Sequence, residues 1–352
     1  MNHLFAFIMA GGSGERFWPL SRNKTPKHLL RLFKGKTLLE QTVNRVEGIV
    51  RSDQIYILTN QAQREELLKA LPGFNPDRVI AEPAKRDTAP AVALANAIAH
   101  KRDPDAVITL LAADHIIHDV TTFQRNLLDS VLAASRSDGL FTFAIKPSWA
   151  STGYGYLSLG KETEKGKQGT AFFAVDRFVE KPDTETAQHY VQSGNYAWNS
   201  GMFVWKVSTF LKEVETHAPE LASFINDFPE GNFLDYLADR FPTLPKTSID
   251  YAIMEKAGAV IAARADFDWD DVGSWTSLPT HLGQDDAGNT VTGPATFVDS
   301  RNNIVHSNGR MIALCGVDDL VVVDAGDAVL VCHRDKVQEI KKLMPHLPKE
   351  LL

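Results

Sequence analysis

The chain has 352 residues, a length that suits two domains or one large domain with an appendage. Its 37 basic and 44 acidic residues give a formal charge of −7, which argues against a nucleic-acid binder with a basic face but leaves room for a few cations gathered in one cleft. Hydrophobic residues at 44% and charged residues at 23% exclude wholesale disorder, and the widely spaced Cys315 and Cys332 argue against a disulfide framework or a cysteine zinc site and fit a reducing compartment.

The first apolar run, Leu4 to Ala10, is too short to cross a bilayer and lacks a basic n-region, so the expectation is a soluble, cytoplasmic protein with no membrane partner. Its Leu4–Met9 portion reads as the first strand, and short apolar or β-branched runs follow at Gln54–Leu58, Arg78–Ala81, Ala106–Leu111 and Leu140–Ile145. Stretches of helical period lie between them, at Leu38–Val50, Ala62–Leu71, Thr88–Lys101 and Thr122–Ala134, the last capped by Thr121 or Thr122. This alternation predicts an α/β fold with βαβ units and a mostly parallel sheet. Further strands are expected at Tyr154–Leu159, Phe172–Glu180 and Ala197–Trp205, and helices at Val207–His217 and Ile249–Ala257. Asp183 caps another helix ending near Gly194. The composition shifts at Gly283–Gly288, and β-runs then recur around Ile304, Ile312, Val321 and Val329, as in a meander or the coils of a small β-solenoid. An amphipathic helix, Lys336 to Leu343, closes the chain. The expected domains are therefore 1–285 and a small β-rich unit, 286–352.

The first strand runs into Ala10-Gly11-Gly12-Ser13-Gly14-Glu15-Arg16. Glycines let successive backbone N–H groups approach an anion. Two other glycine-rich motifs each lack a residue here. The dinucleotide fingerprint needs glycine where Phe17 stands, and a P-loop ending at Gly35-Lys36-Thr37 needs glycine where Leu30 stands. By themselves the glycines fit a plain tight turn equally well. Four cations, Arg16, Arg22, Lys24 and Lys27, follow in a segment stiffened by Pro19 and Pro26, and a triphosphate would match them.

Gly11 to Arg22, with its Phe17-Trp18-Pro19-Leu20-Ser21-Arg22 continuation, and Pro26-Lys27 resemble the signature of the sugar nucleotidyltransferases, specifically the mannose-1-phosphate guanylyltransferases. The resemblance continues in order through Glu82–Pro90, Ala113-Asp114-His115, Gly153-Tyr154-Gly155-Tyr156, Phe178–Pro182, Asn199–Phe203 and Asp271–Trp275. It implies a Rossmann-like nucleotidyltransferase domain followed by a β-helix-like one, and transfer of GMP from GTP to mannose 1-phosphate with release of pyrophosphate. By the same resemblance, Ala10, Gly11, Gly12, Gly14, Arg16, Lys27, Glu82, Asp87, Thr88 and Asp114 bind the nucleotide. Gly153, Tyr154, Gly155, Glu180, Lys181, Asn199, Ser200 and Gly201 bind the sugar phosphate. Arg16, Lys27 and Lys181 are the catalytic cations, and Asp114 and Asp271 hold Mg²⁺.

Each assignment has a plainer counterpart. Asp114 after a buried strand is often a turn residue, and Glu180-Lys181-Pro182 reads equally as a surface ion pair at a strand end. Met202, Phe203 and Trp205 read as core. His115 and His118 lack a third ligand at zinc spacing, and Asp268 and Asp270 are placed behind the metal pair or in solvent. Asp87 stands where the family pattern leads one to expect Asn, and reads either as an N-cap for the helix at Thr88 or as an acceptor for the guanine edge. Another nucleotide or hexose phosphate remains an alternative, as does a non-catalytic regulatory subunit. The retained cations and carboxylates count against the regulatory subunit. A homo-oligomer, a dimer, is expected, and the β-rich tail, which shows no cluster of catalytic groups, is assigned either to oligomerisation or to bracing the active-site domain. No cupin isomerase segment follows the β-runs up to Leu352, so a single activity is expected.

Overall fold

A computed structural model describes residues 3–33 and 35–352. Four parallel strands, β1 (Leu4–Met9), β2 (Ile55–Asn60), β3 (Val79–Glu82) and β4 (Val107–Ala112), lie side by side in the order β3-β2-β1-β4. In β1, Phe5 and Phe7 enter one apolar layer while Leu4, Ala6 and Ile8 enter the other. Side chains on a strand alternate between faces, so an unbroken apolar run is what a sheet covered on both sides requires. The covering helices here are α1 (Leu38–Val46), α2 (Arg64–Ala70), α3 (Thr88–Arg102) and α4 (Val120–Ala134). The cap of α4 is Asp119, whose carboxylate accepts from Thr122 N at 3.0 Å, rather than Thr121 or Thr122. A carboxylate in the first turn also suits the helix dipole.

The sheet continues as β5 (Leu140–Ile145), β6 (Tyr156–Glu162), β7 (Phe172–Val179), β8 (Tyr196–Lys206) and β9 (Val260–Arg264), giving nine strands in the order β3-β2-β1-β4-β8-β5-β9-β7-β6. β8 is antiparallel to both β4 and β5, and its first residues also pair with β6. Strands β8, β5, β9, β7 and β6 therefore close into a ring. Helix α5 (Thr184–Ser193) is capped by Asp183, as expected, and ends at Gly194 with φ 73°. After α6 (Val207–His217) the chain forms α7 (Pro219–Asn226) and α8 (Leu234–Arg240), two short helices that the sequence reading did not resolve. The expected helix at Ile249–Ala257 is a single π-helical turn, Asp250–Met254.

Beyond α9 (Leu278–Leu282) the β-runs form coils of a solenoid rather than a meander. β10 (Thr290–Thr292), β12 (Ile304–Ser307) and β14 (Leu320–Asp324) stack in parallel, and β11 (Ala295–Val298) pairs in parallel with β13 (Ile312–Cys315). β15 (Val329–His333) returns antiparallel to β14. Buried Asn289 and Asn303 link the coils: Asn289 Oδ1 accepts from Asn303 N, and Asn303 Oδ1 accepts from Leu320 N, both at 2.9 Å. The closing helix is 3₁₀, Arg334–His346, not α. One apolar cluster joins this unit to the glycine turn. In it Ile304, Val321, Leu330, Val337 and Ile340 pack with Phe17, Trp18 and Trp275.

Candidate active site

The glycine turn leaves the carboxyl end of β1, where open α/β sheets collect ligands. Its carbonyls are tied to the protein: Thr59 Oγ1 donates to Ala10 O at 2.9 Å, Gln63 Nε2 to Gly12 O at 3.3 Å and Ser21 Oγ to Gly14 O at 2.7 Å. Among the described residues, the N–H groups of Gly11, Gly12, Ser13 and Gly14 have no partner. Such a run of free donors attracts an anion. Gly14 has φ 65°, and a Cβ there would lie 2.5 Å from Lys27 Cβ and 2.8 Å from Lys27 N. Only glycine lets the two segments meet.

Lys27 is buried, and its ammonium reaches Asp114 Oδ2 at 2.7 Å, Asp271 O at 2.7 Å and Val272 O at 3.0 Å. Desolvation alone would raise the Asp114 carboxyl, but the charge and hydrogen bond of Lys27 together with the His115 and His28 charges outweigh it and hold the group at about 2. Asp271 lies above its ordinary value because desolvation, Asp270 and Asp114 outweigh Lys27 and the Tyr154 hydroxyl, which donates to Asp271 Oδ1 at 2.6 Å. Asp268 and Asp270 stand behind this pair: Asp268 accepts from the backbone of His118 and Asp119, and Asp270 from Val272 N.

Asp114 borders two cavities. One, of about 320 Å³, is lined by Ser13, Gly14, Glu15, Arg16, Lys27, Asp271 and Lys341. The other, of about 370 Å³, is lined by Gly11, Gly12, His28, Glu82, Asp87, Thr88 and Lys246. Desolvation pushes Glu82 up to about 8 and His28 down to about 4, so near neutral pH both are largely uncharged. Asp87 has φ 69° and its carboxylate accepts from Thr88 N at 2.9 Å, while its side chain stays exposed at the second cavity. Both expected roles of Asp87 thus remain compatible with its position. Of the four expected cations, Arg22 and Lys24 line neither of these cavities, and Arg22 instead donates to Pro19 O and Leu351 O and pairs with Asp327.

The remaining site residues gather where β6 meets β8. Asn199 N donates to Gly155 O at 2.8 Å, its side chain links Thr142 Oγ1 to Asp250 Oδ1, and Lys181 is ion-paired with Glu180. A Cβ on Gly155 would lie 2.5 Å from Glu180 Oε2. Desolvation and the neighbouring Glu180 push Asp250 up to about 6. Ser200 is buried with its Oγ accepting from Met202 N, so its hydroxyl serves the turn, whereas Gly153 and Gly201 are exposed. Met202, Phe203 and Trp205 are core. Sequence reasoning did not single out Asp250, His28, Lys246 or Lys341. None of the four carried a usable signal in the sequence; the π turn at Asp250, a feature that concentrates at functional sites, appears only in the backbone. Among the described residues, three of the six non-glycine positions with positive φ lie at the site, Asp87, Lys181 (47°) and Val272 (48°), while Asp299, Asn302 and Asp319 turn the β-unit.

Comparison with known proteins gives the family. A family model described as "Nucleotidyl transferase" matches residues 5–286, and one described as "MannoseP isomerase/GMP-like beta-helix domain" matches residues 293–347. The chain is 39% identical to the xanthan biosynthesis protein XanB of Xanthomonas campestris pv. campestris (strain B100), over 99% of this chain and 74% of that protein. It is 37% identical to a mannose-1-phosphate guanylyltransferase of Escherichia coli (strain K12), over 98% and 73%. A solved structure from Thermus thermophilus, titled a mannose-1-phosphate geranyltransferase, superposes with a TM-score of 0.88 at 33% identity, covering 98% of this chain and 99% of that one. No helix is long and apolar enough to cross a membrane among the described residues. The chain belongs to the nucleotidyl transferase family and, within it, is an enzyme of the mannose-1-phosphate guanylyltransferase type.

Proposed function

We propose that this enzyme transfers GMP from GTP to mannose 1-phosphate, giving GDP-mannose and pyrophosphate. The observation that carries the reading is the pair of cavities meeting at Asp114, one holding Arg16 and Lys27 beside free backbone donors and the other lined by Glu82, Asp87, Thr88 and Lys246. The base and ribose occupy the second cavity and the β- and γ-phosphates the first, which puts the α-phosphorus near Asp114. A sugar-phosphate oxygen, largely ionised near neutral pH because its second pKa is about 6, attacks that phosphorus in line. The bond to the bridging oxygen breaks and pyrophosphate leaves with its electrons. No general base is needed. Glu180 and Asn199 accept and donate to sugar hydroxyls, and Lys181 meets the sugar phosphate.

Asp114 and Asp271 are the residues that would hold Mg²⁺, and their donor set fits it. Both are oxygen ligands, and Asp271 is raised partly by the other carboxylate, a repulsion that a divalent cation relieves. Mg²⁺ would supply charge neutralisation on the transferring phosphoryl group. Arg16 and Lys27 add fixed positive charge beside it. We further propose residues 1–285 as the catalytic unit and 286–352 as the β-unit, with a homodimer in the cytoplasm as the working form and no nucleic-acid or membrane partner.

The test is pyrophosphate release from purified protein across a matrix of nucleoside triphosphates and hexose 1-phosphates. The expected maximum is GTP with mannose 1-phosphate and Mg²⁺. A maximum at another pair would replace the substrates named here, and no turnover with any pair would support the regulatory-subunit alternative.

A further inference from the structure

The tail was expected to brace or assemble the protein without contributing to the reaction, yet Lys341 from its 3₁₀ helix lines the cavity beside Arg16, Asp114 and Asp271. We infer that Lys341 binds the pyrophosphate portion of the nucleotide and of the leaving product, so that the β-unit completes the phosphate site. This inference rests on the function proposed above.

Three observations support it. First, the three protons of Lys27 already have three acceptors, Asp114 Oδ2, Asp271 O and Val272 O, so Lys27 neutralises the site but has no N–H left for a phosphate. Second, the cavity wall includes three carboxylates, from Glu15, Asp114 and Asp271, against which Arg16 alone is a poor match for a polyphosphate. Third, the position of Lys341 is fixed although its own side chain is uncommitted. Its neighbour Ile340 is 2% exposed, packed in the cluster that holds Phe17 and Trp18. Trp18 Nε1 donates to Leu351 O at 2.9 Å, and Arg22 pairs with Asp327, so the phosphate loop and the tail are tied to each other. Lys336 and Lys342 are both paired with Glu339, whereas Lys341 makes no ion pair or hydrogen bond among the described residues.

The experiment titrates magnesium pyrophosphate into the full chain by calorimetry and measures KM for GTP and for mannose 1-phosphate. Lys341→Ala is expected to weaken pyrophosphate about tenfold and Lys341→Glu more, since a charge-assisted bond to phosphate is worth about one power of ten. KM for GTP should rise in parallel and KM for mannose 1-phosphate stay within twofold. Lys341→Arg should retain most of the affinity. Lys342→Ala removes the same charge one residue away and should change nothing. Pyrophosphate affinity within twofold of wild type in both Lys341→Ala and Lys341→Glu would overturn the inference, as would an equal loss in Lys342→Ala. The titration requires neither GTP nor a sugar phosphate. A wild-type protein inactive on that pair would therefore count against the proposed reaction, while pyrophosphate binding would still decide the role of Lys341.

Discussion

The ammonium of Lys27 lies 2.7 Å from the Asp114 carboxylate, in a side chain that is 9% exposed against 35% for its partner. The cation is therefore a fixed strut between the β4 loop and the segment carrying Asp271. Lys27→Met should leave Asp114 facing Asp271 with no charge between them. Breaking a fully buried pair costs about 3–5 kcal/mol, and the exposure of Asp114 discounts that to about 2 kcal/mol. The variant should also gain more thermal stability from Mg²⁺ than wild type does in the absence of nucleotide. A Tm within one or two degrees of wild type, or an unchanged Mg²⁺ response, would show that the pair carries little.

Gly14 and Gly155 fail differently when a methyl group is added. At Gly14 the obstacle is the backbone nitrogen and Cβ of Lys27, which cannot move aside, and φ is 65°. Gly14→Ala should lose stability and turnover together. At Gly155 the obstacle is the end of the Glu180 side chain, which can swing away. Gly155→Ala should fold normally and raise KM for mannose 1-phosphate severalfold, with KM for GTP unchanged. Steady-state kinetics in both substrates, beside a melting curve, separates the cases.

Acid should unfold this protein partly through His28. Desolvation holds the folded imidazole at about 4, against 6.5 for the free group, and Nε2 has no partner among the described residues. Between those values the unfolded chain takes up a proton that the folded one refuses, so stability is present above pH 6.5 and is lost as pH falls toward 4. His115, also held at about 4, adds to the loss. His28→Leu should therefore narrow the stability difference between pH 7 and pH 4.5 by about 2.5 kcal/mol. Parallel stability curves for variant and wild type over that range would reject this account.

Asp87 is set between two tasks by its bond to Thr88 N and its place at the second cavity. Asn caps a helix about as well as Asp and tolerates positive φ, so Asp87→Asn preserves the local structure while removing the charge. If the carboxylate accepts the guanine N1–H and amino protons, the preference for GTP over ITP should shrink about tenfold in kcat/KM, with Tm unchanged. An unaltered ratio would make Asp87 a helix cap and pass guanine selection to Glu82 and nearby backbone.

What could be read ahead of the structure followed from local rules. β1 and β5 match their expected bounds because each is an unbroken run of apolar or β-branched residues, and Asp183 and Gly194 bracket α5 as caps do. β9 was missed because Val260-Ile261-Ala262-Ala263-Arg264 is as compatible with a helix as with a strand, and only pairing with β5 and β7 decides it. Short helices α7 and α8, broken by Pro229 and Gly231, have too few turns for a period to emerge. Within the site, Asp114 and Asp271 lie far apart in the chain and only the family resemblance paired them, while local charge grouped Arg22 with the phosphate cations. Long-range contacts then sent Arg22 to the tail and brought Lys341, a charge on an expected solvent face, to the phosphate cavity.

The ring closed by β6 and β8 also limits how copies of this protein can associate. A strand at an open edge offers unused backbone donors and acceptors to another chain. On the ring side many of those groups are already turned inward upon the same sheet, since β6 is paired to β7 and, at Tyr156–Ser158, to β8 as well. The far end of the sheet, the four-residue β3, is open along its whole length. Backbone-to-backbone growth between molecules is thus open to that short margin and to the β-unit, and not to the Tyr156–Ser158 stretch beside Gly155, which has a strand on each side.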